Sequence, residues 1–579
     1  MSKAPSRALI VAMLMWSAIP PPCAQERPQL VPPIRVMAVP RRSLAQQILA
    51  RAEASNPDDP TTHALLLYRS AGAWLALDFE RAPVEYRQAF LFARQSSVTV
   101  RAPLEEAILN ELLPLSPLDA GDLIPSAEPG SRDRLFQSLV KYWLFEGDYR
   151  KAMAALDSAL DNGILPGDAP IHLMATIPTS AIQDRVRVFR EVVDYCQQHP
   201  DDYRFLAQWI ARFYAQMPRT LVQEAIRTDL EQAAEQDKAH PVSQIGEGEV
   251  SFGSVYNLTL FKVAHAFEEI DPDEAHRVIA EHREVSDSLK RYPMGFDSAF
   301  ASEAALDYEI TPNHFEPDLH LWGEPAPLNL DLQDLGLEFY DLRMGPFNGV
   351  GLDGSFPSYD QHGPEVAVIG QLGSCPPDLP QHLEEMARAV PMTREVPLIC
   401  TEHGCSYEDG YPRAELFESV AVGCLMGQAW VDSRSAVTSL DRILNQIPEK
   451  DRVDFLARTA DLYLRLGDRD EAWAIVQQGF ELAEKTFENE KKSEFLQNIP
   501  PGFWSSSEIY RRMVTLGVQA SLDQTQKAID AIPDANLRAI EQVMITRALL
   551  GVPVRRLITV RSNGRVSANP GFTYAEIFR

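Results

Sequence analysis

The sequence predicts an all-α protein, an α-solenoid of helical hairpins interrupted by a loop-rich central excursion. Three observations carry that expectation. From residue 43 to residue 310 apolar residues recur at helical spacing in segments of roughly 12 to 20 residues between short breaks, which implies antiparallel neighbours. Two hairpins, one around Gly147 and one around Gly467, set small and large residues where paired helices must touch. An Ile-Pro pair followed by a helix ending in glycine, Ile447-Pro448 to Gly467, recurs as Ile532-Pro533 to Gly551, an offset of about 85 residues.

In the first hairpin Phe136, Leu139, Val140, Trp143 and Leu144 form one face, Glu146-Gly147-Asp148 turns the chain, and Ala152, Ala155, Leu156, Ala159 and Leu160 answer. In the second, Leu456, Ala460, Tyr463 and Leu464 precede Gly467-Asp468, and Ala472, Ile475, Val476, Gly479 and Phe480 follow. Each second helix carries one apolar stripe that contains small residues, so the axes can approach while the aromatic ring of the first helix fills the side of the gap.

This arrangement resembles the tetratricopeptide repeat family. The family pattern puts a small residue midway along helix one, an aromatic three residues later, Gly-Asp at the turn and two small residues on helix two. Here these are Ala460, Tyr463, Gly467-Asp468, Ala472 and Gly479. The earlier hairpin keeps Trp143, Gly147-Asp148, Ala152 and Ala159, with Val140 at the first small position. The match covers about 60 residues, and a strict 34-residue period does not extend beyond it, so the repeats are degenerate. The resemblance implies TPR-like hairpins that bind a partner in general. It does not imply the carboxylate-clamp mode, because Arg458 and Arg465 alternate with Asp454 and Asp461 and no matching set of Lys, Asn and Arg is present.

The chain divides in order as follows. Residues 1–24 read as a signal peptide: Lys3 and Arg7, an apolar run from Ala8 to Ile19, then the small pair Cys23 and Ala24. Residues 25–42, rich in Pro and Arg, are an extended leader, and 43–310 are the N-terminal helical repeat region, with breaks at 56–60, 116–131, 163–170 and 238–253. Residues 311–380 are a Gly/Pro/aromatic-rich excursion without helical period, with a candidate strand at 365–369. Residues 381–552 return to helical repeats, and 553–579 form a basic tail with Arg555, Arg556, Arg561, Arg565 and Arg579.

A formal charge of -28 over the 579 residues argues against nucleic acid as a partner, since phosphate binding needs clustered Lys and Arg. Beyond the leader no segment reaches the length of about 18 apolar residues that a membrane-spanning helix needs. The string Gly349-Val350-Gly351-Leu352-Asp353-Gly354 satisfies a dinucleotide fingerprint, but Pro346 before it and Pro357 after it deny the strand and helix that phosphate binding requires. His314, Glu316, Asp318 and His320 lack metal-site spacing, Pro317 breaks any helix that could present them, and His265 and His276 stand too far apart. No catalytic residue, cofactor or metal site is assigned. The sequon Asn257-Leu258-Thr259 matters only in a glycosylating secretory pathway.

Cys196 and Cys424 read as buried helical thiols. Cys375, Cys400 and Cys405 lie in turn-rich sequence, where Cys400 with Cys405 is the simplest disulfide and Cys375 with either is the alternative. Zinc held by Cys400, His403 and Cys405 lacks an identifiable fourth ligand.

The leading expectation is an exported scaffold or adaptor, periplasmic or extracellular, that binds a protein or peptide partner along a concave face. The alternative is an envelope enzyme, hydrolase-like, with carboxylates among Asp353, Asp360, Glu408 and Asp409 in residues 311–410.

Overall fold

Helix starts and stops follow the local chemistry of the chain. Asp59 caps Pro60–Leu77 by accepting from the Thr62 amide at 2.7 Å, and Asp534 caps Ala535–Leu550 through the Leu537 amide at 2.8 Å. Gly551 closes the latter helix at φ 65°, in the left-handed region. The computed structural model describes residues 39–299 and 391–552, apart from scattered positions, together with 559–560 and 566–567. The signal peptide, residues 25–38 of the leader, the 311–380 excursion with its glycine string and histidine run, and the tail arginines lie outside the described residues, whereas residues 39–42, expected as the end of an extended leader, form the first turn of a helix, Val39–Glu53.

The first half runs α1 (Val39–Glu53), α2 (Pro60–Leu77), α3 (Arg81–Ala93), α4 (Val98–Leu112), α5 (Pro117–Leu123), α6 (Pro129–Phe145), α7 (Tyr149–Asp161), α8 (Ala169–Thr176), α9 (Ile182–Gln198), α10 (Tyr203–Phe213) and α11 (Arg219–Ala239). A short ribbon of β1 (Ile245–Glu247) and β2 (Val250–Phe252) follows, then α12 (Val255–Ile270), α13 (Pro272–Glu281), α14 (Arg283–Arg291) and α15 (Phe296–Ala299). The second half holds β3 (Arg394–Thr401) paired antiparallel with β4 (Gly404–Gly410), then α16 (Pro412–Met426), α17 (Trp430–Leu444), α18 (Glu449–Arg465), α19 (Arg469–Glu490), α20 (Ser505–Asp530) and α21. The last label denotes Ala535–Leu550. The β3–β4 hairpin lies within 381–552, a stretch the sequence reading assigns to helices. In the tail Thr559–Val560 pairs with Val566–Ser567.

Each helix packs on its neighbours in the chain, and the stacking makes an all-α, helical-repeat-like array. The order in space departs from the order in sequence. The last helix, α21, packs on both α1 and α2, so the second half stacks ahead of the first and the array reads α16 to α21, then α1 to α14. Buried side chains form one continuous cluster from Ala45 to Val552 that crosses this seam between α21 and the α1–α2 pair.

The two compared hairpins share one turn geometry. Gly147 and Gly467 have φ of 76° and 82°; the Asp148 amide donates to the Trp143 carbonyl and the Asp468 amide to the Tyr463 carbonyl, each at 2.9 Å. No atom crowds a Cβ at either glycine, so the requirement is conformational alone. Gly467→Ala is expected to cost about 1 kcal/mol, the left-handed penalty of an L residue. A denaturant midpoint measures it, and an unchanged midpoint would show that the turn does not need the left-handed state.

A second device recurs where a buried residue precedes a helix. Arg101 donates to the carbonyl of Ser96, Arg132 to that of Ala127, Arg185 to that of Ile177, Arg452 to that of Ile447 and Arg538 to that of Ile532. Each arginine lies in the first turns of the helix that follows and satisfies a carbonyl the helix ladder cannot reach. Arg452 does so through two nitrogens at 3.0 and 2.8 Å. Arg452→Met keeps the aliphatic stem and is expected to lower stability by about 2 kcal/mol, the scale of a charged hydrogen bond to a buried group. Thermal or chemical denaturation checks this.

Candidate functional site

The residues singled out for repeat packing are buried in the two hairpins. Trp143, Ala152 and Ala159 line α6 and α7, and Lys151 Nζ sits 4.3 Å from the Trp143 ring centroid. Ala460 and Tyr463 lie on α18 and Ala472 on α19, all buried. Gly479 holds the close approach of α19 and α20, because a Cβ there would come within 2.1 Å of Met513 Sδ.

The cysteines divide differently from the sequence reading. Cys196 is a buried thiol on α9. Cys424 is disulfide-bonded, which corrects its reading as a buried thiol; its partner lies outside the described residues. A helical apolar setting is equally suited to a thiol and to half of a disulfide, so local sequence cannot separate them. Cys400 and Cys405 face each other across the β3–β4 ladder, one register step from the tip pair Thr401 and Gly404. Their side chains lie outside the described residues.

No group of three or more His, Cys, Asp or Glu suited to a metal is present among the described residues. The sequon is structurally occupied: Asn257 Nδ2 donates to Glu284 at 2.9 Å, its Oδ1 lies 2.8 Å from His282 Nδ1, and Thr259 is buried.

Polar chemistry gathers instead at the seam. Tyr68 on α2 and Tyr86 on α3 donate to the two oxygens of Glu111 on α4, at 2.7 and 2.5 Å. Arg547 on α21 reaches across and donates to the Arg69 carbonyl of α2 at 3.3 Å. Its guanidinium lies against the backbone of Gly72, where a Cβ would meet Arg547 Nη1 at 2.1 Å. Beside this contact a cavity of about 20 Å³ is lined by Arg69, Ser507, Glu508, Arg511 and Glu541 among others, room for about one water-sized group.

Glu541 and Arg69 are withdrawn from solvent at 0% and 5% exposure, and Arg511 is buried as well. Ser507 Oγ donates to Glu541 Oε1 at 3.0 Å, while Glu541 Oε2 is buried without a hydrogen-bond partner among the described residues. Burial pushes the Glu541 carboxyl up to about 8, against the opposing pull of Ser507, Arg511 and Arg69. Burial also pulls Arg69 down to about 10, with the like charges of Arg511 and Arg547 adding to the effect. Glu508 is ion-paired to Arg511 and to Arg512, and Arg512 continues to Asp454 on α18.

A second buried acid stands apart from the seam. Asp229 on α11 is 0% exposed, both carboxylate oxygens lack a hydrogen-bond partner among the described residues, and burial raises it well above the carboxylate range despite the charge of Lys262 on α12. Its burial favours the neutral acid over the ion.

The fold and this seam define a helical-repeat-like protein whose two halves close on each other through a buried polar network. No family model and no curated protein matches the chain. A solved structure described as a circular tandem repeat protein with novel repeat topology and enhanced subunit contact surfaces is 12% identical, covering 88% of this chain and 97% of that one, with a TM-score of 0.12. At that score the likeness carries no argument about topology or function.

Proposed function

We propose that the chain is an exported scaffold or adaptor, built of TPR-like hairpins, that binds a protein or peptide partner in the cell envelope. The observation that carries the reading is the array itself: helices pack on neighbours in line, which leaves long faces of paired helices that no other part of the described chain covers. Apolar side chains stand on those faces. Val84 and Leu91, two helical turns apart on α3, are 51% and 53% exposed, and Val431 at the start of α17 is 73% exposed beside Trp430. The acidic balance of the sequence favours a partner that is neutral or basic at its contact surface.

The test is capture of partners from a cell-envelope fraction, followed by titration of the purified candidate against the purified chain. Saturable binding at micromolar concentration that is weakened at least tenfold by Val84→Glu with Leu91→Glu, or by Val431→Glu, supports the reading. Absence of any saturable partner, or binding indifferent to these changes, contradicts it.

A further inference from the structure

We propose that the exposed stripe of α3 is a self-association surface, on which a second copy of this chain docks antiparallel about a two-fold axis. The inference goes beyond the scaffold reading above: it gives this stripe to a second copy and leaves a foreign partner to other faces of the array, the Val431 side among them.

The stripe is one side of a single helix. Glu80, the N-cap residue of α3, and then Val84, Arg87, Gln88, Leu91 and Arg94 are all exposed, and their steps of three and four residues set them on one helical face. Buried Ala82, Tyr86, Ala89 and Phe90 hold the opposite side against the array. A single exposed leucine needs no explanation, but here large apolar residues gather. Phe79 just before α3 and Val98 at the start of α4 are exposed at the two ends. Leu118, 69% exposed on α5, precedes Asp119, which pairs with Arg87 at 3.2 Å and so brings α5 alongside.

The order of residues along the stripe selects the occupant. Val84 stands three residues before Arg87 and Leu91 three residues after Gln88, so the apolar pattern is the same read from either end. The charges invert: the N-terminal end carries the acid Glu80 and the C-terminal end the base Arg94. Neither side chain has an ion pair among the described residues, and Arg94 acts on the buried Glu105 only as a nearby charge.

An antiparallel second copy, turned about an axis through Arg87 and Gln88, sets Val84 against the other copy's Leu91 and Glu80 against the other copy's Arg94, each twice. Apolar residues then meet apolar ones and each unpaired charge meets its opposite, the self-complementarity that an isologous contact requires. A parallel docking would set Glu80 on Glu80 and Arg94 on Arg94. The Arg87 side chains that approach one another near the axis are each neutralised by Asp119. A foreign protein would place no such mirror condition on the stripe. With 13 residues α3 is about 20 Å long, which keeps the contact at the small end of specific interfaces and sets the expected dissociation constant on the order of micromolar.

The experiment is sedimentation equilibrium of the purified full chain over a range of about 1 to 200 µM, which brackets that affinity. The average mass should rise with concentration from one chain to two and level there. Leu91→Glu sets a charge against Val84 twice in each dimer and should weaken association at least tenfold. Glu80→Arg alone and Arg94→Glu alone should each weaken it about tenfold, because like charges then meet twice. Mixing these two variants should restore association, since one offers only bases at the ends of its stripe and the other only acids, and the two changes combined in one chain should restore self-association as well. All these positions are exposed, so melting curves at monomer concentrations should match the parent, which separates lost docking from lost folding. A parent that stays monomeric at the highest concentration, assembly beyond two chains, dimers indifferent to Leu91→Glu, or charge variants that do not recover on mixing would overturn the proposal. Should the parent be monomeric and Val84→Glu with Leu91→Glu abolish capture of an envelope partner, the stripe belongs to that partner and the scaffold reading survives without this one.

Discussion

Gly72→Ala is expected to destabilise the protein by about 3 kcal/mol, toward the upper end of the cost of overpacking a buried contact. The added methyl would overlap the Arg547 guanidinium, with Nη1 at 2.1 Å and Cζ at 2.4 Å. Arg547 cannot withdraw cheaply. It is 3% exposed, it holds the Arg69 carbonyl, and it is the arm of α21 that reaches α2. Denaturant unfolding measures the loss. The cause is checked by a double-mutant cycle with Arg547→Ala: the single changes act on one contact, so together they should cost less than their sum by about 1 kcal/mol or more. Additive costs would mean that Gly72 is needed for some reason other than Arg547.

Stability should fall as pH rises from the carboxylate range toward 8, and Glu541→Gln should flatten much of that slope. The sign follows from proton counts. Burial pushes the Glu541 carboxyl up to about 8 in the folded chain, whereas a solvated glutamate in the unfolded chain stays near its ordinary value of about 4.5. Between these values the folded state holds a proton that the unfolded state has lost, so each pH unit removes stability. The contribution is fully present below about 4.5 and lost by about 8, an effect on the order of 3 to 5 kcal/mol for a fully buried acid. Asp229 acts in the same direction, since burial raises it as well, and Asp229→Asn should remove a further part of the slope. Urea midpoints at pH 5, 7 and 9 for the parent and both variants check the prediction. A parent more stable at pH 9 than at pH 5 would contradict it.

Local chemistry was the readable part of this fold. The turns at Gly147 and Gly467 announce themselves because a glycine must supply a positive φ between two helical stripes, and the small residues facing them are near neighbours in sequence. The entry arginines are local too. Arg101, Arg132 and Arg452 each stand five residues after the carbonyl they hold, and for Arg452 that carbonyl belongs to the Ile447-Pro448 pair. The β3–β4 ribbon was missed because Pro397 and the cysteines resemble turn sequence, although Val396 and Ile399 are good strand formers.

The seam could not be read in the same way. Thr546 and Ala45 meet across 501 residues, and no helical period records which distant stripe a helix will face. One clue to its polar site was nevertheless present. The run around Glu541 and Arg547, ANLRAIEQVMITRALL, is apolar almost all round, as is ALLLYRSAGAWLAL around Arg69. Helices apolar on every face are buried, and the charges inside them must find each other.

The central claim is that α21 closes on α1 and α2 to join the two halves of the chain, and disulfide trapping tests it most directly. Thr546 Oγ1 lies 3.5 Å from the Ala45 carbonyl, and both residues are fully buried. Ala45→Cys combined with Thr546→Cys, oxidised in the folded chain, should give a faster-migrating monomer under non-reducing conditions and a linked peptide pair after digestion. Each single-cysteine variant should lack both. Absence of the intramolecular link in a folded double variant, or links formed only between separate chains, would contradict the seam.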